Sequence, residues 1–331
     1  MISVIVVTYN QECTIARTLD SILMQKGIQE LEIIIGEDHS TDNTRRICEE
    51  YALRYPAIIR LFPNKENKGV VRNYFDCLQA CRGSYIADCA GDDFWIDEYK
   101  LKKQRDIMVA HPEVTLVHTD WWYYNENDGT KHPSGKQEYC DSLTDGKKML
   151  TAIITQTTRP VIHLCTSLYR NDAIKKAYHE DANLFCNNEY GCEDLQIAFA
   201  LAQSGCIAYL PDKTLCYSIG HTSVSTQSDD AKQFEFVRKT AHLSHYLADK
   251  YHISNPQTDT FFKQKLHALT MHAIRSNRHP LIQKVKRLAI EWHTTPALYT
   301  RLLLVLSEYN SLFSLLSFLR KTAAHIKQHL F

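Results

Sequence analysis

Two adjacent carboxylates stand where a buried strand is expected to end. Asp92 and Asp93, in the stretch CAGDDFW, come shortly after the apolar run Tyr85–Ala87. Two like charges this close repel each other, so the pair is stable mainly when it stays in water or meets a cation. These seven residues therefore indicate either a surface turn or a metal site, and alone they do not decide between the two.

Further polar clusters follow other predicted strands. Thr8–Asn10 follows the first buried strand, and Glu37–Asp38 follows the second. Over roughly the first hundred residues, apolar strands alternate with helical periodicity, which predicts a mostly parallel sheet covered by helices on both faces. Ligands of such sheets bind beyond the carboxyl ends of the strands, so we expect the three clusters to form a cation or ligand site at one edge.

The spacing of the apolar residues predicts the elements that hold these clusters. Strands are predicted over residues 3–8, 31–35, 58–62, 85–89, 115–124, 160–169, 207–210 and 214–219. Helices are predicted over residues 15–23, 71–78, 100–110 and 191–205, from an N-cap at Ser40 to residue 55, and from about residue 229 to the end.

The composition is that of an ordinary globular protein. With 331 residues, 44% of them apolar, the chain can bury a core in one large domain or two smaller ones. The first residues carry no basic leader and an apolar run of only about six residues, which argues against a secretory signal. Eleven cysteines without a CxxC pair favour reduced core thiols in a cytosol over disulfides or zinc.

Five stretches carry a family resemblance: in chain order, VIVVTYNQE, EIIIGEDHSTDNT, NKGVVRN, GSYIADCAGDDFW and CEDLQIAF. Together they resemble the inverting family 2 glycosyltransferases with the GT-A fold, whereas any one alone would be weak. The resemblance implies a GT-A domain over residues 1–225, with a nucleotide-binding half (1–100) and an acceptor half (101–225). The helical, basic region 226–331 is not covered by it.

The resemblance implies nucleotide-binding roles for the residues that match these motifs. Thr8 and Tyr9 would line the base and ribose pocket, and Asp38 would accept a hydrogen bond from the imide of a uracil-like base. Arg72 would approach the nucleotide.

The resemblance also implies a metal site. Asp93 would contact Mg²⁺ or Mn²⁺, Asp92 would contact the ribose or a metal-bound water, and His221 would lie near the diphosphate and the metal. Ala90 stands where the family commonly has a carboxylate, which affects the ribose contact more than the metal site.

The chemistry of sugar transfer fits these residue types. A departing nucleoside diphosphate carries about three negative charges, which a hard divalent cation stabilises. An acceptor hydroxyl needs a carboxylate to take its proton. In the resemblance Asp194 takes the place of this base, and Glu193 would orient it or the acceptor. Both acids would also suit the first turn of an ordinary helix.

The function that the resemblance implies is a metal-dependent, inverting sugar transfer in surface-polysaccharide synthesis. The donor would be a UDP-linked sugar, and the acceptor a glycan or lipid-linked glycan. We expect no nucleic-acid partner. A sugar nucleotidyltransferase would share the nucleotide-binding logic, but that class has a glycine-rich loop where this chain reads VTYNQECT. A receiver-like binding domain also gathers acids at strand ends, but it would end near residue 125.

The charge of the chain is unevenly spread. From residue 263 onward, eleven Lys or Arg stand against Glu291 and Glu308, so this tail carries +9 and the rest −9. An apolar stripe flanked by Arg301, Arg320 and Lys321 is interrupted by Glu308, which argues against a spanning helix. We expect an amphipathic helix on the cytoplasmic face of an anionic membrane, packed on the catalytic domain, or in contact with a second subunit of a homo-oligomer.

Overall fold

The computed structural model describes residues 1–135, 142–156, 161–220, 229–309, 313–314 and 317–318. The chain divides into two compact units, each described by itself below. The N-terminal unit comprises residues 1–188 and 192–221, and the C-terminal unit comprises residues 189–191 and 222–331.

The N-terminal unit contains one sheet with helices around it. Its strands are β1 (Ile2–Thr8), β2 (Leu31–Glu37), β3 (Ile59–Pro63), β4 (Tyr85–Asp88), β5 (Phe94–Trp95), β6 (Val114–Asn125), β7 (Lys131–Pro133), β8 (Leu143–Asp145), β9 (Leu168–Arg170) and β10 (Cys206–Ile219). Its helices are α1 (Ile15–Leu23), α2 (Thr44–Arg54), α3 (Val70–Ala80), α4 (Lys100–Ala110), α5 (Leu150–Ile154), α6 (Asn171–Glu180), α7 (Ala182–Phe185) and α8 (Asp194–Ser204).

The strands are ordered β3-β2-β1-β4-β9-β6-β10-β5, with β7 beside β6 and β8 beside β10. The longest ladders are parallel: β1 pairs with β2 and β4, β2 with β3, and β6 with β10. The antiparallel strand β9 lies between β4 and β6 and joins the two parallel groups. The predicted class, a largely parallel α/β sheet flanked by helices and followed by a helical region, is confirmed. A receiver-like domain ending near residue 125 is excluded, because β9 and β10 belong to the same sheet.

The register of the sheet gathers the residues after β1, β2 and β4 at one edge. Thr8 lies opposite Glu37, and Asp88 lies opposite Ile5. Beyond β4 the chain stays beside β1, because the N–H of Gly91 donates to the carbonyl of Val7 at 3.1 Å. Buried apolar residues at helical spacing in α1, namely Ile15, Leu19 and Ile22, anchor that helix to the core.

The predicted start of the second helix was wrong. The helix α2 begins at Thr44 with Asn43 at its N-cap, and Ser40 lies in the preceding loop. The hydroxyl of Ser40 accepts a hydrogen bond from the N–H of Asn10, and its own N–H donates to the carboxylate of Glu37. Together the local partner Glu37 and the distant partner Asn10, which local sequence does not reveal, hold Ser40 out of the helix.

Two strand predictions in the second half were also wrong. Within the predicted strand 160–169, residues Leu164–Thr166 form a short 3-10 helix, and the strand β9 begins only at Leu168. The hydroxyls of Thr166 and Ser167 both donate to the carbonyl of His163, which favours a turn over extended backbone. The two strands predicted between 207 and 219 are one bulged strand, β10.

The C-terminal unit is helical in its described residues: α9 (Asp230–Lys250), α10 (Pro256–Arg275), α11 (His279–Glu291) and α12 (Leu298–Leu306). The side chain of Asn255 accepts hydrogen bonds from the first free N–H groups of α10, and the hydroxyl of Thr258 accepts from the N–H of Asn255. This capping box fixes where α10 begins. Among the helices that the structure describes, none combines the length and apolar character needed to cross a bilayer.

Candidate functional site

The turn that carries Asp92 and Asp93 lies between β4 and β5. Asp93 is buried, and its Oδ1 accepts a hydrogen bond from the N–H of Ser218 at 2.9 Å. Its Oδ2 is also buried and has no hydrogen-bond partner among the described residues. Burial raises the pKa of Asp93 well above its usual range and the charges of Asp92 and Asp194 raise it further, whereas the N–H of Ser218 and the thiol of Cys165 lower it.

These two carboxylates suit a divalent cation. A buried oxygen without a partner, next to a second carboxylate, is compensated when a hard cation takes oxygen ligands from the pair. In the described part of the chain, no group of three His, Cys, Asp or Glu side chains could hold a metal. Asp92 and Asp93 were predicted as metal ligands together with His221, which lies outside the described residues.

The predicted base lies at the start of α8. Glu193 is the N-cap residue and Asp194 is the first residue of the helix. Burial raises the pKa of Asp194 to about 6, so the group is mostly ionised at neutral pH and basic enough to accept a proton. Burial and the charge of Asp194 raise the pKa of Glu193 well above its usual range, which favours a pair that shares one proton.

The charge of Asp194 acts on the same groups as the charges of the paired carboxylates. Besides its effect on Asp93, the charge of Asp194 acts on Tyr217, a half-buried residue of β10. Burial raises the pKa of the Tyr217 phenol, and the charges of Asp93, Asp92 and Asp194 raise it further. The charges of three carboxylates that the sequence singled out therefore act on one tyrosine that it did not.

Asp38 closes the loop that follows β2. Its Oδ1 accepts hydrogen bonds from the side-chain amide of Asn64 at 2.9 Å and from the N–H of Lys68 at 2.8 Å. Its Oδ2 accepts one from the N–H of Gly69 at 2.9 Å. Because a carboxylate has about four lone-pair positions, Oδ2 keeps room for one further donor.

The other predicted nucleotide-binding residues differ in exposure. Thr8 is buried and its hydroxyl donates to Gln11 Oε1 at 2.8 Å, so this group is already engaged. Its carbonyl accepts a hydrogen bond from the N–H of Asp38 at 3.0 Å. Tyr9 is 46% exposed, and Arg72 is exposed in the first turn of α3. In the described structure, no hydrogen bond joins Tyr9 or Arg72 to the acidic cluster.

Two buried groups beside the site escaped the sequence reasoning. The ring of His163 lies edge-on to that of Tyr217, with centroids 4.7 Å apart, and burial lowers its pKa to about 4 although the charge of Asp92 opposes this. Asp88, the last residue of β4, accepts a hydrogen bond from Tyr74, and burial raises its pKa to about 7. An acid inside the run YIAD was a usable signal for Asp88, whereas nothing distinguished His163 from the other histidines.

Comparison with known proteins agrees with the motifs. Residues 3–177 match the sequence model of the family described as Glycosyl transferase family 2. An uncharacterized protein of Mycobacterium tuberculosis (strain ATCC 25618 / H37Rv) is 45% identical over 114 residues, which are 34% of this chain and 33% of that protein. The dTDP-rhamnosyl transferase RfbG of Shigella flexneri is 35% identical over 139 residues, 40% of this chain and 44% of RfbG. The chain thus spans less than half the length of these curated relatives.

Two solved structures have a similar fold. That of S. aureus TarS 1–349 in complex with UDP-GlcNAc has a TM-score of 0.56 and 19% identity, covering 95% of this chain and 90% of that one. That of the mannosyltransferase PcManGT from Pyrobaculum calidifontis with GDP-Man and Mn²⁺ has a TM-score of 0.50 and 17% identity, covering 96% and 86%. At identities this low the likeness concerns the fold alone.

Proposed function

Because the chain belongs to glycosyl transferase family 2, we propose that it transfers a sugar, with inversion, from a nucleotide-sugar to a glycan or lipid-linked glycan in surface-polysaccharide synthesis. The observation that supports this proposal is that the charge of Asp194 acts on Asp93, and that the charges of Asp194, Asp92 and Asp93 all act on Tyr217. A base and a charge-stabilising pair must lie on either side of the same anomeric carbon for a single displacement to occur.

The donor is proposed to be UDP-linked. The acceptor position left at Oδ2 of Asp38 suits the imide N–H of uracil. Thr8 and Tyr9 would line the base and ribose, and the exposed Arg72 would approach the nucleotide. The TarS structure contains UDP-GlcNAc and RfbG is named for a dTDP-linked sugar; both bases present the same imide, which supports this choice.

A Mg²⁺ or Mn²⁺ ion is proposed as the cofactor. Asp93 would hold it through the oxygen that has no partner among the described residues, with Asp92 and His221 beside it. When bound, such an ion stabilises the negative charge of the departing diphosphate. The Mn²⁺ in the PcManGT structure supports this proposal at the level of the fold.

Asp194 is proposed as the base. Its carboxylate, ionised above a pKa of about 6, takes the proton of the acceptor hydroxyl as that oxygen attacks the anomeric carbon. Attack from the side opposite the diphosphate inverts the anomeric configuration. Glu193, which keeps its proton more readily, donates a hydrogen bond that orients Asp194 or the acceptor.

Calorimetric titration tests the donor and the cofactor together. The protein is titrated with UDP, dTDP, GDP, CDP and ADP, each with Mn²⁺ and with excess chelator. We expect UDP to bind in a Mn²⁺-dependent manner, and Asp93→Ala to lose that dependence. Asp106→Ala is the control, because Asp106 is an exposed acid of α4 paired with Lys102. Absence of diphosphate binding under every condition would exclude the proposed function.

We further propose that the protein attaches peripherally to the anionic cytoplasmic face of a membrane, where a lipid-linked acceptor would be presented. The helix α12 exposes Leu298, Leu302 and Val305 beside the cation Arg301, a combination that suits an anionic bilayer. Flotation with phosphatidylglycerol vesicles at low salt should carry the protein, and Leu302→Glu should prevent it. The matched control is Leu53→Glu, at an exposed leucine of α2. Failure of the unaltered protein to float would refute attachment.

A further inference from the structure

Arg17, on α1, reaches the turn of Asp92 and Asp93. Its Nη2 donates a hydrogen bond to the main-chain carbonyl of Asp92 at 3.3 Å. Its guanidinium also pairs with both oxygens of Glu126, the residue after β6, and lies over the ring of Phe94 at 4.1 Å from the centroid. One side chain therefore ties α1, β5 and β6 to the turn that follows β4.

Ser218 holds the same turn from β10. Its hydroxyl donates to the carbonyl of Asp92 at 2.6 Å, and its N–H donates to Oδ1 of Asp93 at 2.9 Å. Arg17 Nη2 lies 3.4 Å from the Ser218 hydroxyl, so the two residues act on one carbonyl and contact each other. The turn is thus fixed through its main chain and through one oxygen of Asp93.

The distribution of charge explains why an arginine can stand here without competing with a cation. Among the described residues, the ion pair of Arg17 is made with Glu126, and its hydrogen bond to the turn ends on a carbonyl, not on a carboxylate. A guanidinium bound to the Asp92 or Asp93 carboxylate would take the oxygens that a metal needs. Glu126 therefore keeps the positive charge occupied while the N–H groups position the turn.

We propose that Arg17 and Ser218 are positioning residues for the cation site, which they hold in the arrangement that leaves Oδ2 of Asp93 open to a metal. This inference rests on the proposed metal-dependent function and adds two residues to it, from α1 and β10. Neither residue would touch the metal or the sugar. Loss of either should weaken metal binding and leave the metal-free affinity for the nucleotide unchanged.

The test measures Mn²⁺ binding by electron paramagnetic resonance in the presence of UDP. For Arg17→Gln we expect the Mn²⁺ dissociation constant to rise about tenfold, the lower end of the roughly 10- to 100-fold loss seen when groups that orient metal ligands are removed. Ser218→Ala should raise it less, and the double variant should raise it by less than the product of the two, because both side chains act on one carbonyl. In excess chelator, each variant should bind UDP with the same affinity as the unaltered protein does.

Arg60→Gln is a matched control. Arg60 also pairs with a glutamate, Glu32, donates to a carbonyl, that of Ala80 at 2.9 Å, and lies over Phe62, but on β3. The Arg60→Gln variant should lose about as much stability as Arg17→Gln but should bind Mn²⁺ as tightly as the unaltered protein. Equal Mn²⁺ loss in Arg60→Gln and Arg17→Gln, or unchanged affinity in Arg17→Gln and Ser218→Ala, would overturn the inference alone. If Arg17→Gln does not fold, Ser218→Ala decides. An unaltered protein whose affinity for UDP is the same with Mn²⁺ and with excess chelator would overturn the inference and the proposed cofactor together.

Discussion

The substitution Asp194→Asn should stop transfer and, at neutral pH, stabilise the folded protein. Burial raises the pKa of Asp194 from its ordinary value of 3.8 to about 6. A shift of about two units corresponds to about 3 kcal/mol of folding free energy lost when the carboxyl ionises. Because Asp194 is only half-buried, water screens part of this, and we expect a gain of about 1–3 kcal/mol for the uncharged amide.

The direction in which stability changes with pH follows from proton binding to Asp194. Between pH 3.8 and about 6 the folded protein keeps a proton on Asp194 that the unfolded chain has already released. The stability contributed by this group is therefore fully present below pH 3.8 and is lost as the pH rises through about 6. The advantage of Asp194→Asn over the unaltered protein should be near zero at pH 4 and complete at pH 8.

Urea unfolding at the two pH values measures this difference, and a transfer assay at pH 8 measures the activity. Loss of the base should lower kcat by about 10²- to 10⁴-fold. The unaltered enzyme should itself lose kcat/KM as the pH falls below about 6, because the carboxylate is then protonated. Nucleotide binding should be nearly intact in Asp194→Asn.

Asp172→Asn is the control for removing a carboxylate from the first turn of a helix. Asp172 is an exposed acid in the first turn of α6, where its charge favours the helix dipole. Its loss should cost about 0.3–1 kcal/mol, opposite in sign to the change at Asp194. The reasoning would be refuted if Asp194→Asn kept normal transfer, or if its stability relative to the unaltered protein were the same at pH 4 and pH 8.

Three further substitutions test the packing around the site and the helical unit. Gly91→Ala places a Cβ 2.7 Å from the Thr8 hydroxyl, so it should lower stability by about 1–3 kcal/mol and weaken Mn²⁺-dependent UDP binding, both measurable by calorimetry. Tyr74→Phe removes a 2.6 Å hydrogen bond to the buried Asp88; urea unfolding should show a loss of about 1–3 kcal/mol, greater above pH 7 than below it, because the bond is stronger to the ionised carboxylate. Asn255→Ala removes the N-cap of α10 and should cost about 0.5–2 kcal/mol in thermal unfolding, with UDP affinity unchanged.

The spacing of apolar residues was sufficient to predict helices and strands whose position is determined by hydrophobic burial. The helix predicted over residues 100–110 is α4 without a shift, and the strand predicted over residues 115–124 lies within β6. It failed where a side chain competes with the regular backbone, as at Thr166 and Ser167, whose hydroxyls bond back to His163. Residue type alone does not show which of two conformations such a hydroxyl stabilises.

The candidate site, too, was predictable from the sequence only in part. The rule that ligands bind beyond the strand ends was enough to place the acidic clusters at one edge of the sheet. Arg17 and Ser218, which share a carbonyl of that turn, are 201 residues apart in the chain, and no local pattern joins them. Ser218 lies on β10, whose pairing with β6 includes bulges that the apolar pattern did not reveal.

Three acids show why residue type and position were not enough to assign roles. Asp38 follows β2, Asp93 follows β4, and Asp194 begins α8. Asp38 is already bonded to three donors, so it shapes a loop first and has one position left for a ligand. Asp93 accepts the N–H of Ser218 at Oδ1 and has a buried Oδ2 without a hydrogen-bond partner among the described residues, which leaves it suited to a cation. Asp194 has its pKa raised by burial alone, which leaves it suited to take a proton. The hydrogen-bond donors and the burial around each carboxylate are set by the fold, and they distinguish three acids that residue type and position alone leave alike.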